Sequence, residues 1–258
     1  MTQTPLTHEQ IRTFNPEPNC LEGKTILVTG AGDGIGRVAA LTYAKYGATV
    51  LLLGKTLSKL EAVYDEIEAA GGKQPAIMPM NLESASYSDM QQMANLIQTE
   101  IGELHGVLHN AGVLGALTPL EMYDIVTFEQ VMRINTTATF MLTQVLMPLV
   151  KAVDNGSFVF TSSSVGTHPR AFWGAYALSK QAVEGMSDIF TQETQNTTSL
   201  RFNCINPGAT RTNMRAHAYP GENPMSLKTP EEIMPAYVCL MNDASIGVRG
   251  QVVALQPK

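Results

Sequence analysis

The feature that most constrains the fold is the regular alternation of two kinds of segment along the chain. Short apolar runs such as TILVT (25–29) and ATVLLL (48–53) are separated by longer stretches with helical periodicity, such as IGRVAALTYAKYG (35–47). Strands that are bounded by turns and separated by helices predict parallel βαβ units. The strands are apolar almost without interruption, which indicates a sheet covered by helices on both faces. The sequence therefore predicts an α/β protein with a doubly wound sheet and with sites at the carboxyl ends of its strands.

The same patterns give approximate bounds for each element. The predicted strands are 25–29, 48–53, 74–80, 105–112 with its turn, 156–163, 199–208 and about 250–255. The predicted helices are 35–47, 57–72, 90–102, about 124–150, 174–196 and about 230–242. No repeat or low-complexity linker interrupts this series, so one domain over residues 21–258 is the simplest interpretation. Residues 1–20 are expected to form a polar arm ahead of it.

Composition excludes several classes of partner. Hydrophobic residues make up 44% of the chain and charged residues 16%, which favours an ordered globular protein. The net charge is −6 and no basic run stands out, so a nucleic-acid partner is not expected. Residues 1–20 lack the features of a signal peptide, and the apolar runs are too short to span a membrane. The three cysteines match no metal-ligand spacing and indicate a reducing compartment. We therefore expect a cytoplasmic protein without a metal site.

A glycine-rich turn, TGAGDGIG (29–36), follows the first predicted strand. Such a turn lets backbone N–H groups approach a phosphate, and the amino end of the next helix adds favourable partial charge. A tight strand-to-helix turn with a positive φ would need only one glycine, whereas this turn holds four. The spacing is T-G-x-x-x-G-I-G rather than G-x-G-x-x-G. We therefore predict a dinucleotide site formed here by Gly30, Gly32, Asp33, Gly34, Ile35 and Gly36.

A tyrosine and a lysine stand four residues apart in AYALSK (175–180). On the predicted helix, Tyr176 and Lys180 would share one face. About 0.5 such pairs are expected by chance in a chain of this composition, so the pair alone is only a hypothesis. An ammonium beside the phenol would lower a pKa that is ordinarily about 10. A tyrosine in that setting is suited to exchange a proton with a carbonyl or alcohol oxygen.

The order of these motifs resembles that of the short-chain dehydrogenase/reductase superfamily. After TGAGDGIG the match continues with NAG (110–112), IN (134–135), SS (162–163), YALSK (176–180) and NPGATRT (206–212). It covers about residues 22–255, and the chain looks most like a bacterial subgroup of oxidoreductases without an assigned substrate. The resemblance implies a single-domain Rossmann fold with a mostly seven-stranded parallel sheet. It also implies hydride transfer between a nicotinamide and a carbonyl or secondary alcohol.

The resemblance implies four catalytic residues. Tyr176 would be the general acid/base, and Lys180 would tune it and hydrogen-bond the nicotinamide ribose. Ser163 would position the substrate oxygen, with turn or helix-cap duty as its alternative. Asn135 would distort its helix and hold a water in the proton relay to the lysine. Its alternative is an ordinary buried polar residue.

The resemblance also implies further residues at the cofactor. Thr212 would hold the nicotinamide carboxamide, with the N-cap of a short helix as its alternative. The family pair of Asp and a hydrophobic residue that contacts adenine is Asn81-Leu82 here, and Asn can still hydrogen-bond the base. The remaining expected cofactor residues are Asn110, Ala111, Gly112, Pro207, Gly208 and Thr210.

The end of the second predicted strand, LLLGKT (51–56), bears on the choice of dinucleotide. An NAD-preferring site usually places an acid about 20 residues beyond the glycine turn. Here no acid occurs until Glu61, and Lys55 follows the strand instead. A cation there suits a 2′-phosphate, although a solvated surface lysine is the alternative. We expect NADP(H) in preference to NAD(H).

The substrate end is less defined. In the family, residues 213–227 form a mobile lid, from which Met214, His217 and Tyr219 could face a substrate. Phe172, Trp173 and Leu114 could form an apolar wall or pack in the core. His109 stands where the family often has Asn and is expected to pack at a strand end.

Three functions remain open from the sequence. The first is an oxidoreductase acting on a small carbonyl or alcohol substrate, and the second is a non-catalytic dinucleotide-binding redox sensor or pseudoenzyme. The third is a sugar-nucleotide epimerase, for which the chain has little room. The resemblance implies a homodimer or homotetramer formed through the long helices 124–150 and 174–196. The usual Asp-Gly-Gly is replaced by ALQPK at the carboxyl end, which leaves the assembly open.

Overall fold

The computed structural model describes residues 4–257, and within that range a seven-stranded parallel sheet forms the centre of the protein. The strand order is β3-β2-β1-β4-β5-β6-β7, so the chain reverses direction across the sheet between β1 and β4. The strands are β1 Thr25–Thr29, β2 Thr49–Gly54, β3 Ala76–Pro79, β4 Gly106–His109, β5 Ser157–Thr161, β6 Arg201–Asn206 and β7 Val252–Ala254. This topology confirms the predicted Rossmann fold, whose ligands bind where the strand order reverses.

Helices connect the strands and cover both faces of the sheet. They are α1 His8–Arg12, α2 Gly34–Lys45, α3 Leu57–Ala69, α4 Tyr87–Leu96, α5 Ile125–Met132, α6 Ala138–Lys151, α7 Ser164–Thr167, α8 Gly174–Thr194, α9 Asn213–Ala218 and α10 Met234–Met241. Two π-helical turns lie at Ile97–Ile101 and Arg133–Thr137. Short 3-10 turns lie at Leu120–Met122, Pro224–Ser226, Glu231–Ile233 and Asp243–Ser245. No helix in the described range is long and apolar enough to cross a membrane.

Alternating strand residues supply two separate cores. Ile26 and Val28 of β1 face the core beneath α2 and α10, whereas Leu27 faces the core beneath α4, α6 and α8. The parallel register that pairs Leu27 with Leu51 extends the same alternation into β2. Because both faces of every central strand are buried, the strands are apolar without interruption, as the sequence indicated.

The segment expected to be a polar arm is partly packed onto the domain. Thr7 caps α1 in a capping box with Gln10, and Ile11 is fully buried in the core beneath α10. Arg12 Nη1 also donates to the backbone oxygen of Ala254, 3.3 Å away, at the end of β7. The expectation of an arm ahead of the domain is therefore wrong for α1, because one buried isoleucine on a capped helix is enough to dock it. Residues 1–3 lie outside the described range.

Candidate active site

A cavity of about 1400 Å³ lies at the carboxyl ends of the strands. It is larger than the roughly 300–1,000 Å³ of a usual small-molecule site, which leaves room for a dinucleotide and a second ligand. Among the residues predicted from the sequence for catalysis or cofactor binding, Gly36 and Asn135 do not line it, and all the others do.

The glycine turn lies against the chain that follows β4. Gly30 has φ +68, and a Cβ built on it would lie 3.0 Å from the Cα of Ala111. A Cβ on Gly36 would lie 2.3 Å from the Gly30 oxygen, so this glycine permits close packing of α2 behind the turn. The Thr29 hydroxyl accepts from the backbone N–H groups of Asn110 and Ala111 at 2.9 and 3.0 Å. These contacts hold the turn and the NAG motif together at the reversal of strand order.

The β2 end of the cavity carries two lysines, one of which was predicted from the sequence. Lys55 is exposed and lines the cavity beside Asn81 and Leu82. Lys59, in the first turn of α3, was missed, and its Nζ lies 2.5 Å from Asp33 Oδ2. That hydrogen bond is the main reason why the pKa of Asp33 lies below its usual range. The repeat of lysine in KTLSK was a signal for this residue.

Asn135 occupies the distortion that the resemblance implied. The helix between α5 and α6 opens into a π-helical turn at Arg133–Thr137. There the buried Asn135 side chain accepts from Val113 N at 2.8 Å and donates to Val113 O at 2.9 Å. It also donates to the Ser179 hydroxyl at 3.0 Å. The asparagine therefore joins the long helix to the loop after β4 and to α8.

Tyr176 and Lys180 lie together in the first turns of α8. Lys180 Nζ is 5.5 Å from the centroid of the Tyr176 ring and donates to the Thr161 oxygen at 2.7 Å. Burial raises the pKa of Tyr176 to about 12, and the Ser163 hydroxyl opposes that shift. Burial also lowers the pKa of Lys180 to about 8. The shift of the Tyr176 pKa is therefore opposite in direction to the depression expected from the ammonium, because desolvation of the phenolate is its largest cause.

Two of the implied site residues also have the capping role that was their alternative. Ser163 follows β5 and caps α7, with its hydroxyl 3.5 Å from Val165 N. That distance makes a weak bond at best, which leaves the hydroxyl available to Tyr176. Thr212 caps α9 and accepts from Arg215 N at 3.1 Å. Both residues line the cavity, and capping fixes the Thr212 side chain at its wall.

The chain after β6 is held by a residue that was not predicted from the sequence. Gly208 has φ +73 and donates to Asn206 Oδ1 at 3.1 Å. Gln256 Nε2 donates to the oxygens of Pro207 and Ala209 at 2.8 and 3.1 Å. Gln256 belongs to ALQPK, the carboxyl segment that replaces the usual Asp-Gly-Gly of the family, so this segment supports the cavity wall.

Aromatic rings line the substrate end. The Trp173 ring is 5.9 Å from the centroids of both Tyr176 and Tyr219, and Leu114 and Met214 also line the cavity. Phe172 is instead 59% exposed, has φ +71 and does not line the cavity. His217 does not line the cavity either. The apolar wall is thus formed by Trp173 and Leu114 without Phe172.

His109 is a packing residue, as predicted from the sequence. Its ring is buried, stacks on Phe160 at 5.0 Å and hydrogen-bonds the Thr143 hydroxyl at 3.0 Å. Burial lowers its pKa to about 3, so the imidazole is neutral. It therefore has no charge to offer at neutral pH.

Comparison with known proteins agrees with this geometry. The family model described as short chain dehydrogenase matches residues 24–223. An uncharacterized oxidoreductase of Escherichia coli K12, YciK, is 50% identical over 244 residues, covering 95% of this chain and 96% of that protein.

Two similar solved structures contain a bound cofactor. A short-chain dehydrogenase of Shigella flexneri 2a, solved in complex with NADP, is 50% identical with a TM-score of 0.91, covering 93% of this chain and all of that one. One from Escherichia coli CFT073, solved in complex with NADPH, is 51% identical with a TM-score of 0.91, covering 94% and 100%. The family resemblance seen in the motifs is confirmed: this chain belongs to the short-chain dehydrogenase family.

Proposed function

We propose that this protein transfers hydride between NADP(H) and a carbonyl or secondary alcohol substrate. The observation that carries the proposal is one cavity with the glycine turn at one end and Ser163, Tyr176 and Lys180 at the other. Membership of an oxidoreductase family and the NADP and NADPH held by relatives of about 50% identity support it.

The residues at the β2 end fit NADP(H) better than NAD(H). The backbone of Gly30–Ile35 would face the pyrophosphate, and Asn81 and Leu82 would contact adenine. Lys55 and Lys59 would face the 2′-phosphate, since a cation rather than a free carboxylate follows β2. In the described part of the chain, the one carboxylate that lines the cavity is Asp33, and it is already paired with Lys59. When bound, the nicotinamide supplies or accepts the hydride.

The catalytic residues suit carbonyl reduction at neutral pH. With a pKa of about 12, the Tyr176 hydroxyl is protonated and can donate to the developing alkoxide. The Ser163 hydroxyl holds the same oxygen, and the Lys180 ammonium stabilises the phenolate that remains. The phenolate would recover its proton from Lys180, and a water held at Asn135 would in turn reprotonate Lys180. In oxidation each proton transfer runs in reverse.

Replacement of Tyr176 by phenylalanine tests the proposal. Tyr176→Phe removes only the proton donor, so we expect turnover of an aldehyde and ketone panel to fall by roughly 10²–10⁴-fold. NADPH affinity, measured by fluorescence titration, should stay within about threefold because the hydroxyl is a minor part of the binding surface. Tyr64→Phe, at a half-buried tyrosine of α3 that does not line the cavity, is the matched control and should keep wild-type turnover.

The result also separates this proposal from its rival. Equal turnover by Tyr176→Phe and wild type would refute the catalytic assignment. NADPH binding without turnover of any carbonyl in the panel by wild type would favour the non-catalytic redox sensor.

A further inference from the structure

The cavity is far more positive than the chain that surrounds it. The protein carries a net charge of −6. Among the described residues that line the cavity, Asp33 is the one carboxylate, against five lysines and arginines. The five cations are Lys55, Lys59, Arg170, Lys180 and Arg215. Such a reversal of sign inside a cleft favours anionic ligands.

Four of these cations already have a partner or a proposed task. Lys59 pairs with Asp33, and Arg215 forms a two-bond ion pair with Glu222, with both N–O distances 2.6 Å. Lys55 lies at the β2 end with the proposed 2′-phosphate, and Lys180 belongs to the proton chemistry. Arg170, at the substrate end, is the fifth cation, and it has neither an ion-pair partner in the described range nor a task in the proposed function. No carboxylate within residues 4–257 lies within 4.0 Å of its guanidinium.

Arg170 contacts two residues beside the proposed reaction centre, Ser164 and Trp173. Its Nη2 donates to the hydroxyl of Ser164 at 3.0 Å, and Ser164 follows Ser163 directly. Its guanidinium lies 5.3 Å from the centroid of Trp173, whose ring is 5.9 Å from that of Tyr176. A guanidinium has five N–H donors in a fixed plane, so the bond to Ser164 leaves four for a ligand.

The loop that carries Arg170 is held in a defined conformation. Phe172 has φ +71, a region that bulky residues rarely adopt. Its carbonyl accepts from Thr118 N at 3.1 Å, and Trp173 N donates to the Arg170 oxygen at 3.3 Å. Backbone strain of this kind is retained where the surrounding structure enforces it, often at ligand sites. The turn directs Trp173 into the cavity and leaves Phe172 outside.

We propose that the substrate is a carbonyl compound with a carboxylate a few atoms from the carbonyl, and that Arg170 binds this carboxylate. The carboxylate is expected close to the carbonyl because Arg170 bonds Ser164, which is adjacent to Ser163. This inference rests on the proposed function, which places the carbonyl oxygen at Ser163 and Tyr176. Trp173 and Tyr219 cover the apolar remainder of the substrate. Arg170 is thus a specificity-determining residue outside the proton-transfer group.

The single tryptophan of the chain makes this proposal measurable without turnover. Trp173 is the only tryptophan, so its fluorescence reports on the substrate end directly. The protein saturated with NADP⁺ is titrated with phenyl-substituted 2-oxo, 3-oxo and 4-oxo acids and with their methyl esters. We expect at least one acid to bind about tenfold or more tightly than its ester, as a charge-assisted hydrogen bond allows.

Two variants decide whether Arg170 causes the preference. Arg170→Gln should reduce the acid-to-ester affinity ratio to near one, and it should raise the KM of the preferred acid more than it lowers kcat. Arg37→Gln is the matched control, since Arg37 pairs with Glu66 on the outer surface and does not line the cavity. That control should keep the wild-type ratio.

The outcomes against the proposal are distinct from failure of the proposed function. A ratio near one for every pair, binding of no acid in the panel, or a ratio that survives Arg170→Gln overturns the carboxylate site. Failure of the proposed function appears in turnover by Tyr176→Phe, which this binding ratio does not measure.

Discussion

At the scale of the residue, the glycine turn, Lys55, Tyr176 and Lys180 could be predicted because each lies at a fixed sequence distance from a local feature. Lys55 follows a strand end, and Tyr176 and Lys180 are four apart on one helix. Lys59 and Arg170 could not be placed in the same way. The ion pair of Lys59 with Asp33 forms only when α3 folds against the glycine turn, and Arg170 meets Trp173 only through a strained loop.

The cofactor preference is the prediction that belongs to this scale. Lys55→Asp places a carboxylate where a 2′-phosphate is expected, so NADPH affinity should fall by about tenfold or more through charge repulsion. NADH affinity should stay equal or rise, because a carboxylate after β2 can accept from a ribose 2′-hydroxyl. Parallel fluorescence titrations with the two cofactors at fixed ionic strength measure both.

Lys151→Asp provides the same charge change at the exposed end of α6 and should leave both affinities unaltered. A variant Lys55→Asp with wild-type preference for NADPH would identify Lys55 as a surface lysine without a role in the choice.

At the scale of the element, the strands could be predicted from the residues themselves, whereas the distortion of the helix at Asn135 was implied only by the family resemblance. Predicted and observed bounds of β1 agree, and those of β2 differ by one residue at each end, because buried parallel strands need continuous apolar runs. The long helix predicted at 124–150 is interrupted by the π-helical turn Arg133–Thr137, which local periodicity does not reveal. Its cause is tertiary: the Asn135 side chain bonds the backbone of Val113 in a distant loop.

The stability held in that turn can be measured. Asn135→Ala removes all three side-chain hydrogen bonds and leaves the Val113 N–H and carbonyl without this partner. We expect the free energy of unfolding to fall by about 2–4 kcal/mol in urea titrations, since buried polar groups lose their partners. Asn196→Ala, on the exposed carboxyl side of α8, should change it by less than about 0.5 kcal/mol. A loss below about 1 kcal/mol for Asn135→Ala would mean that the asparagine does not hold the loop.

At the scale of the whole molecule, the outer faces of α6 and α8 keep exposed apolar side chains after the fold is complete. Phe140 is 42% exposed and Ile189 57% exposed, and Phe140 stacks at 6.5 Å on Phe190 of the neighbouring helix. Neighbouring exposed rings and aliphatic chains on two long helices form a surface suited to burial against a second copy. The sequence could suggest an interface at these helices only through the family resemblance, because an apolar residue in the sequence can belong either to the core or to an interface.

The assembly prediction follows from that surface. We expect light scattering after size exclusion to give the mass of two or four copies for the wild type. Ile189→Glu would bury a carboxylate in the proposed interface, so it should shift the mass toward one copy and make it depend on concentration. Leu57→Glu introduces the same carboxylate at a leucine that is 49% exposed at the start of α3, on the opposite face of the sheet from α6 and α8, and should keep the wild-type mass. A wild type with the mass of one chain would contradict the assembly, whereas an assembly that Ile189→Glu leaves intact would place its interface on another face.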